Sequence, residues 1–383
     1  MRSLALVLAI AAIACGGEMT ASAPPRGLRL LHTFGAREAD LLSGALASWP
    51  DPVSTSLVPF ARGQTVIGAL LRAGTDCPDL IRIDATWLPG LARAGLLVPA
   101  PKEALAVDWL PEARSLAEDR GTTWAVPQTV DGLMIVLGPA ASGIDGAPPP
   151  TIDALIELAT HTHAKWGLGL RVDGYWVVPF LRAAGADVAD GSTGELGIDR
   201  AEARVAIARF ARLFGTIAAP APAPGQEATD EARRFRAGEI AMLVTGPWAL
   251  ADAGELDALR VWPLPEAPRG GHLFVVPKCA ADAPRAWKLA LHLAEPEVQL
   301  AWARAIGTVP TTRAALDEAP RVVKEAYAAL VGARPLPREP VTALLFDDLT
   351  PAVAAVVAGD ATADEALAGV ERAWRRLLSG GGS

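Results

Sequence analysis

Along this chain short apolar runs alternate with stretches in which apolar residues recur at helical spacing. Residues 27–34, GLRLLHTF, form an apolar run that ends in a turn, and ADLLSGALASWP then carries its apolar residues on one helical face. DPVSTSLVPF reads as a second strand, a helix runs through Ala69 to Ala73, and CPDLIRID is a buried strand. Strand, helix, strand in succession predicts parallel strands with crossover helices, an α/β fold whose ligands sit at the carboxyl ends of strands. The loops after Leu31, Ile83 and Val126 are therefore the places to search.

A second α/β unit begins near Asp131. DGLMIVLG is a strand, GAPPP a loop, Thr151 the cap of the helix TIDALIELATH, and KWGLGLRV a further strand. Then FRAGEIAMLVTGPWAL ends an apolar run, Ile240 to Val244, at Thr245-Gly246-Pro247 and sets Trp248 directly after the turn. Taken alone, this is a buried strand followed by a helix, with Trp248 as core. GAPPP and AAPAPAPG are loops within the unit, because regular patterns resume at once, and no repeat of fixed period is present.

Two domains are the prior for 383 residues, since single cores rarely grow beyond roughly 250 to 300 residues. Hydrophobic residues make up 51% and mean hydropathy is +0.27, yet no stretch approaches the ~20 uninterrupted apolar residues of a membrane helix. A net charge of −8 without a Lys/Arg cluster argues against nucleic acid. MRSLALVLAIAAIAC has the anatomy of a secretory signal: Arg2, an apolar stretch from Leu4 to Ala14, then Cys15. Ala12-Ile13-Ala14-Cys15 resembles the lipobox of bacterial lipoproteins, although that motif prefers Leu where Ala12 stands. The expected division is a signal peptide over 1–15, lipidated at Cys15, and a small, polar tether over 16–26. Cys77 and Cys279 are too few and too far apart for a metal box; a disulfide and two buried thiols both stay open.

The order of segments resembles the extracytoplasmic solute-binding proteins of bacterial sugar ABC transporters, the maltodextrin-binding type, from Leu28 to about Leu378. CPDLIRIDATWLPGLARAGLLVPA, WAVPQTVDGLMIVLG, DGYWVVPFLRAAGADV, FRAGEIAMLVTGPWAL, RGGHLFVVPK and WARAIGTVPTTRAAL match that family's segments in order. No one of them is specific; six in sequence are. The resemblance implies an α/β, two-lobed periplasmic-binding-protein fold of type II, with a ligand cleft between lobes joined by hinge crossings. It places the N-lobe at 26–129 plus 270–311 and the C-lobe at 130–269 plus 312–380.

By the same resemblance Trp248 becomes a platform on which a sugar ring stacks, and Tyr175, four residues before Pro179, a second platform beside Trp176. A pyranose offers flat C–H faces and a rim of hydroxyls, so flat aromatics and two-way polar groups suit it. Asp84, Thr86 and Trp87 follow the third strand; Asp84 or Thr86 could equally cap the next helix. Thr33 and Phe34, with His32, Gly35 and Arg37, lie in the family's opening ligand loop, but the acidic residue and lysine of maltodextrin binders are missing there. Gln128 and Asp131 flank the first crossing, Gly270, Gly271 and His272 the second, and Phe346 stands where the family often has another aromatic. His161 and His163 are helix-end residues, not metal ligands.

The expected function is a lipid-anchored, extracytoplasmic monomer that captures a saccharide, an oligo- or disaccharide, and passes it to ABC transporter membrane subunits. No enzyme activity, cofactor, metal or nucleic-acid partner is implied. The alternatives are an envelope glycosidase, for which Asp84 and Asp131 are the one carboxylate pair that reaches the cleft, and a lipoprotein acting as an interaction module.

Overall fold

The computed structural model describes residues 26–144, 146–191, 193–222 and 227–380. The signal peptide, Cys15 and the tether up to residue 25 lie outside these described residues. In chain order the strands are β1 (Leu28–His32), β2 (Val53–Leu57), β3 (Leu80–Asp84), β4 (Glu118–Asp119), β5 (Thr122–Thr123), β6 (Val126–Gly132) and β7 (Met134–Leu137). They continue as β8 (Trp166–Gly169), β9 (Ile240–Thr245), β10 (Arg260–Pro263), β11 (Pro268–Val275) and β12 (Arg334–Pro335).

Two sheets organise two α/β units. The first has the order β12-β11-β3-β1-β2, with β6 also paired to β11, and the second the order β10-β7-β9-β8. Strands joined by crossover helices are parallel as expected: β1 with β2 and β3, and β8 with β9. The purely parallel expectation fails where the chain passes between the units, because a strand that arrives without a crossover helix comes back antiparallel. Thus β11 runs antiparallel to β3 and β6, and β7 antiparallel to β9 and β10.

The central strands are buried on both faces: β3, β6, β7 and β9 are covered at every residue, as strands lying between layers require. In the first unit Leu28, Leu30, Ile81, Ile83, Leu273 and Val275 are buried; in the second, Met134, Val136, Ile240, Met242 and Val244 are. Thr151 caps its helix as expected, its hydroxyl accepting the Ala154 N–H at 3.1 Å. The apolar helical run Pro340–Ala358 is long enough to cross a membrane by length and composition. Here Val341, Leu345, Leu349 and Val353 sit in the core of the second unit instead.

The passages between the units are fastened. The Thr311 N–H donates to Gln299 Oε1 at 2.8 Å, and its hydroxyl donates to the Pro127 carbonyl at 3.1 Å. Buried Arg182 donates to the carbonyls of Ala267, Arg334 and Pro335, residues that enter β11 and form β12. The open question over the cysteines resolves as a disulfide: Cys77, just before β3, is bonded to Cys279, just after β11, with Cα atoms 5.9 Å apart. Such a bond fits an oxidising compartment outside the cytoplasm.

Candidate functional site

β1 and β3 end at His32 and Asp84, and β11 brings His272 opposite Asp84 in register. On the other side of β11, Gly270 stands opposite Asp131 of β6. Three adjacent strands therefore set Asp84, His272 and Asp131 side by side. His272 Nε2 lies 3.9 Å from Asp84 Oδ2, and its Nδ1 lies 3.0 Å from Asp131 Oδ2, within hydrogen-bond distance but off the hydrogen-bond direction.

Next to them is a cation that the sequence reading missed. Arg82 is almost fully buried and donates to Gln128 Oε1 at 3.1 Å, Thr33 Oγ1 at 3.0 Å and Glu38 Oε1 at 3.3 Å. Its guanidinium lies 4.1 Å over the Phe34 ring. The signal for it was available: a lone arginine between Ile81 and Ile83 in an apolar strand must find partners or unfold the strand.

Burial dominates the electrostatics. It pushes Asp131 up from the ordinary 3.8 to about 7, against the pull of Arg82, and it pushes His272 down from 6.5 to about 4, helped by Arg82. Asp84 is also raised by burial, with His272 opposing. Both directions in the Asp131–His272 pair have one cause, the cost of charge away from water, and both favour a neutral pair.

The second unit meets this cluster with aromatic rings. Asp173 caps the helix Gly174–Ala183 by accepting the Tyr175 N–H at 2.7 Å, which points that helix mouth at β11. The Tyr175 hydroxyl donates to the Pro268 carbonyl at 3.4 Å. A Cβ on Gly270 would lie 3.1 Å from Asp131 Oδ1 and 3.3 Å from the Tyr175 hydroxyl oxygen, so this glycine separates the two at close quarters. Gly271 has a different reason, because a Cβ there would be 2.3 Å from the Thr129 carbonyl oxygen. Trp176 is buried and donates its indole N–H to the Val244 carbonyl at 2.7 Å.

Trp248 is partly buried against the core of the second unit, edge-on to Trp176 at 6.0 Å between centroids. Its indole folds back over Gly246, where a Cβ would lie 2.1 Å from a ring carbon. Glycine at 246 is therefore what lets this ring lie against the backbone. Phe346 lies 5.9 Å from Tyr175 and 5.0 Å from Phe60, a ring of the first unit that sequence reasoning also missed.

Not every expected contact is equally accessible. Trp87 is 3% exposed and Phe34 2%; both sit in the cores of the first unit. Asp84 serves as the cap that the local sequence allowed, accepting the Thr86 N–H at 2.8 Å and its hydroxyl at 2.5 Å, while its other oxygen faces His272. A shallow recess lined by Phe274, Trp302, Val309 and Pro310 shares only Gln128 with the cluster. Among the described residues no group of His, Cys, Asp and Glu has the arrangement of a metal site.

A profile of the bacterial extracellular solute-binding proteins matches residues 59–330. Among solved structures, the GacH receptor of Streptomyces glaucescens, studied unliganded and with acarbose, is 25% identical, with a TM-score of 0.78 over 92% of this chain and 98% of that one. The Thermus thermophilus maltotriose-binding protein, bound with maltotriose, is 21% identical, with a TM-score of 0.73 over 90% and 99%. An ABC transporter solute-binding protein of Thermotoga lettingae, bound with α-D-tagatose, is 20% identical, with a TM-score of 0.75 over 92% and 100%. At these lower identities the likeness speaks for the fold, which is the two-lobed one of periplasmic solute-binding proteins.

Proposed function

The chain belongs to the bacterial extracellular solute-binding proteins, and from that premise we propose that it captures a saccharide between its lobes for an ABC importer. One observation carries the reading: the aromatic rings of the second lobe, Tyr175, Phe346 and Trp248, are gathered where the first lobe presents Asp84 and His272 and the crossing strand presents Asp131. Rings supply flat apolar faces for sugar C–H groups, while carboxylates and imidazole accept and exchange hydroxyl hydrogen bonds. The similar receptor studied with acarbose supports the same ligand class.

The lobes are 26–129 plus 270–311 and 130–269 plus 312–380 in this reading. Closure is driven by contacts that exist only when the lobes meet. Binding is favoured over glycoside hydrolysis because the imidazole of His272 lies between the two carboxylates, where a glycosidase would need the scissile bond. A sugar library screened by thermal shift, with mass analysis of the recovered ligand, tests this. A stabilising sugar recovered intact supports it; a sugar recovered cleaved contradicts it.

The anchor is a lipid on Cys15 of a monomer held at the outer face of a membrane. Cys15→Ser should move the protein out of the detergent phase without lowering its melting temperature. Continued partition into detergent would reject the anchor.

A further inference from the structure

The saccharide reading leaves open how long a sugar the cleft admits, and Phe60 bears on that question. Phe60 opens the helix Phe60–Ala73 after Pro59, half-buried, at the edge of the first lobe. Its ring stacks on Trp87 with centroids 5.6 Å apart and planes 28° apart. One turn along the same helix, Gly63 lies so close to Trp87 that a Cβ would be 2.4 Å from its ring. The same phenyl ring meets His272 at 5.9 Å and Phe346 of the other lobe at 5.0 Å, both edge-on. Thr65, further along the helix, donates its hydroxyl to Asp347 Oδ2 at 3.1 Å, beside Phe346.

A sugar held between two aromatic rings needs about 8 Å between them, two contacts of about 4 Å each. Phe60 and Phe346 are in contact with each other, and the face of Trp87 is already covered. A benzene ring and a pyranose ring are both six-membered and similar in breadth. We infer that Phe60 stands in place of a sugar ring against Trp87, and thereby stops the bound saccharide from extending past His272 on the Trp87 side. This rests on the saccharide reading and goes beyond it, by making Phe60 a determinant of ligand length.

Titration calorimetry of the mature chain and of Phe60→Ala with glucose, maltose, maltotriose and maltotetraose tests the inference. The unaltered chain should bind maltotriose and maltotetraose at least roughly tenfold more weakly than maltose, the size of one discriminating contact. In Phe60→Ala that difference should vanish, with the preferred length one ring greater. Phe60→Leu, which removes the ring and keeps apolar bulk, should give a partial gain and decides the matter if the alanine variant does not fold. Equal or tighter binding of maltotetraose by the unaltered chain overturns the inference, as does an unchanged length series in both variants. Silence of all four sugars on both proteins also overturns it; the wider sugar screen then shows whether the saccharide reading fails with it.

Discussion

The two lobes face each other with different chemistry. The first lobe's wall is built on strand ends, where register sets Asp84 and His272 abreast of Asp131 on the crossing strand, and Arg82 is held by Gln128, Thr33 and Glu38. The second lobe's wall is built on a helix mouth and a turn, which carry Tyr175, Trp176 and Trp248. Each lobe buries an arginine, but to different ends. Arg82 supports the polar wall, whereas Arg182 binds the carbonyls of Ala267, Arg334 and Pro335 and so fastens its helix to the passage between lobes. The lesson is a division of labour: the charges are fixed by partners on a rigid sheet, whereas Tyr175 and Trp176 are buried in their own lobe's core and Trp248 beside them is only partly covered.

If the polar wall is the more tightly determined of the two, its disruption should be the most damaging. Arg82→Met should destabilise the protein by about 3 to 5 kcal/mol, because Glu38 and the neighbouring polar groups lose the charge they were built around. Urea denaturation measures it, and a loss below about 1 kcal/mol would show that the cluster is dispensable. Next is the disulfide, which braces only the first lobe. Cys279→Ser should cost about 2 to 4 kcal/mol, read from the same denaturation. Equal stability with and without the bond would remove that difference between lobes.

A smaller effect depends on pH. The folded-state pKa of Asp131, about 7, lies above its ordinary value of 3.8, so the folded protein holds this proton more tightly than the unfolded chain does. Stability from this group is therefore greatest below about pH 4, falls as pH rises to about 7, and is flat beyond. His272, depressed to about 4, acts in the opposite sense between about pH 4 and 6.5 and offsets part of that fall. Asp131→Asn should then raise stability at pH 8 by roughly 1 to 3 kcal/mol and change it little at about pH 3.5, below the unfolded carboxyl's pKa. Thermal melts at the two pH values would detect this; an equal effect at both would mean that burial does not hold the carboxyl neutral.

Much of this arrangement was legible from residues alone, and the exceptions have physical causes. The Gly-Pro-Trp turn was readable because glycine and proline restrict the backbone locally; Trp248, which residues alone put in the core, lies partly buried against it. Asp84 was legible as a cap, and it accepts the Thr86 N–H while its other oxygen faces His272. The antiparallel returns of β6 and β11 were not, because apolar alternation has the same period whichever way a strand runs. Phe60 and the burial of Trp87 depend on a helix laid across a distant loop, and no spacing of residues records that contact. Cys77 and Cys279, 202 residues apart, meet only because β3 and β11 are neighbours.

The central claim is that the second lobe offers an aromatic face to a sugar, and Trp248 tests it most directly. Titration of Trp248→Ala with a sugar that stabilises the unaltered protein should show affinity weakened by about 1 to 3 kcal/mol through lost stacking and burial. Its melting temperature without sugar should fall by less than loss of a fully buried tryptophan would cause, because the indole is only partly buried against the core of the second unit. Unchanged affinity in a badly destabilised variant would contradict the account and make Trp248 a packing residue.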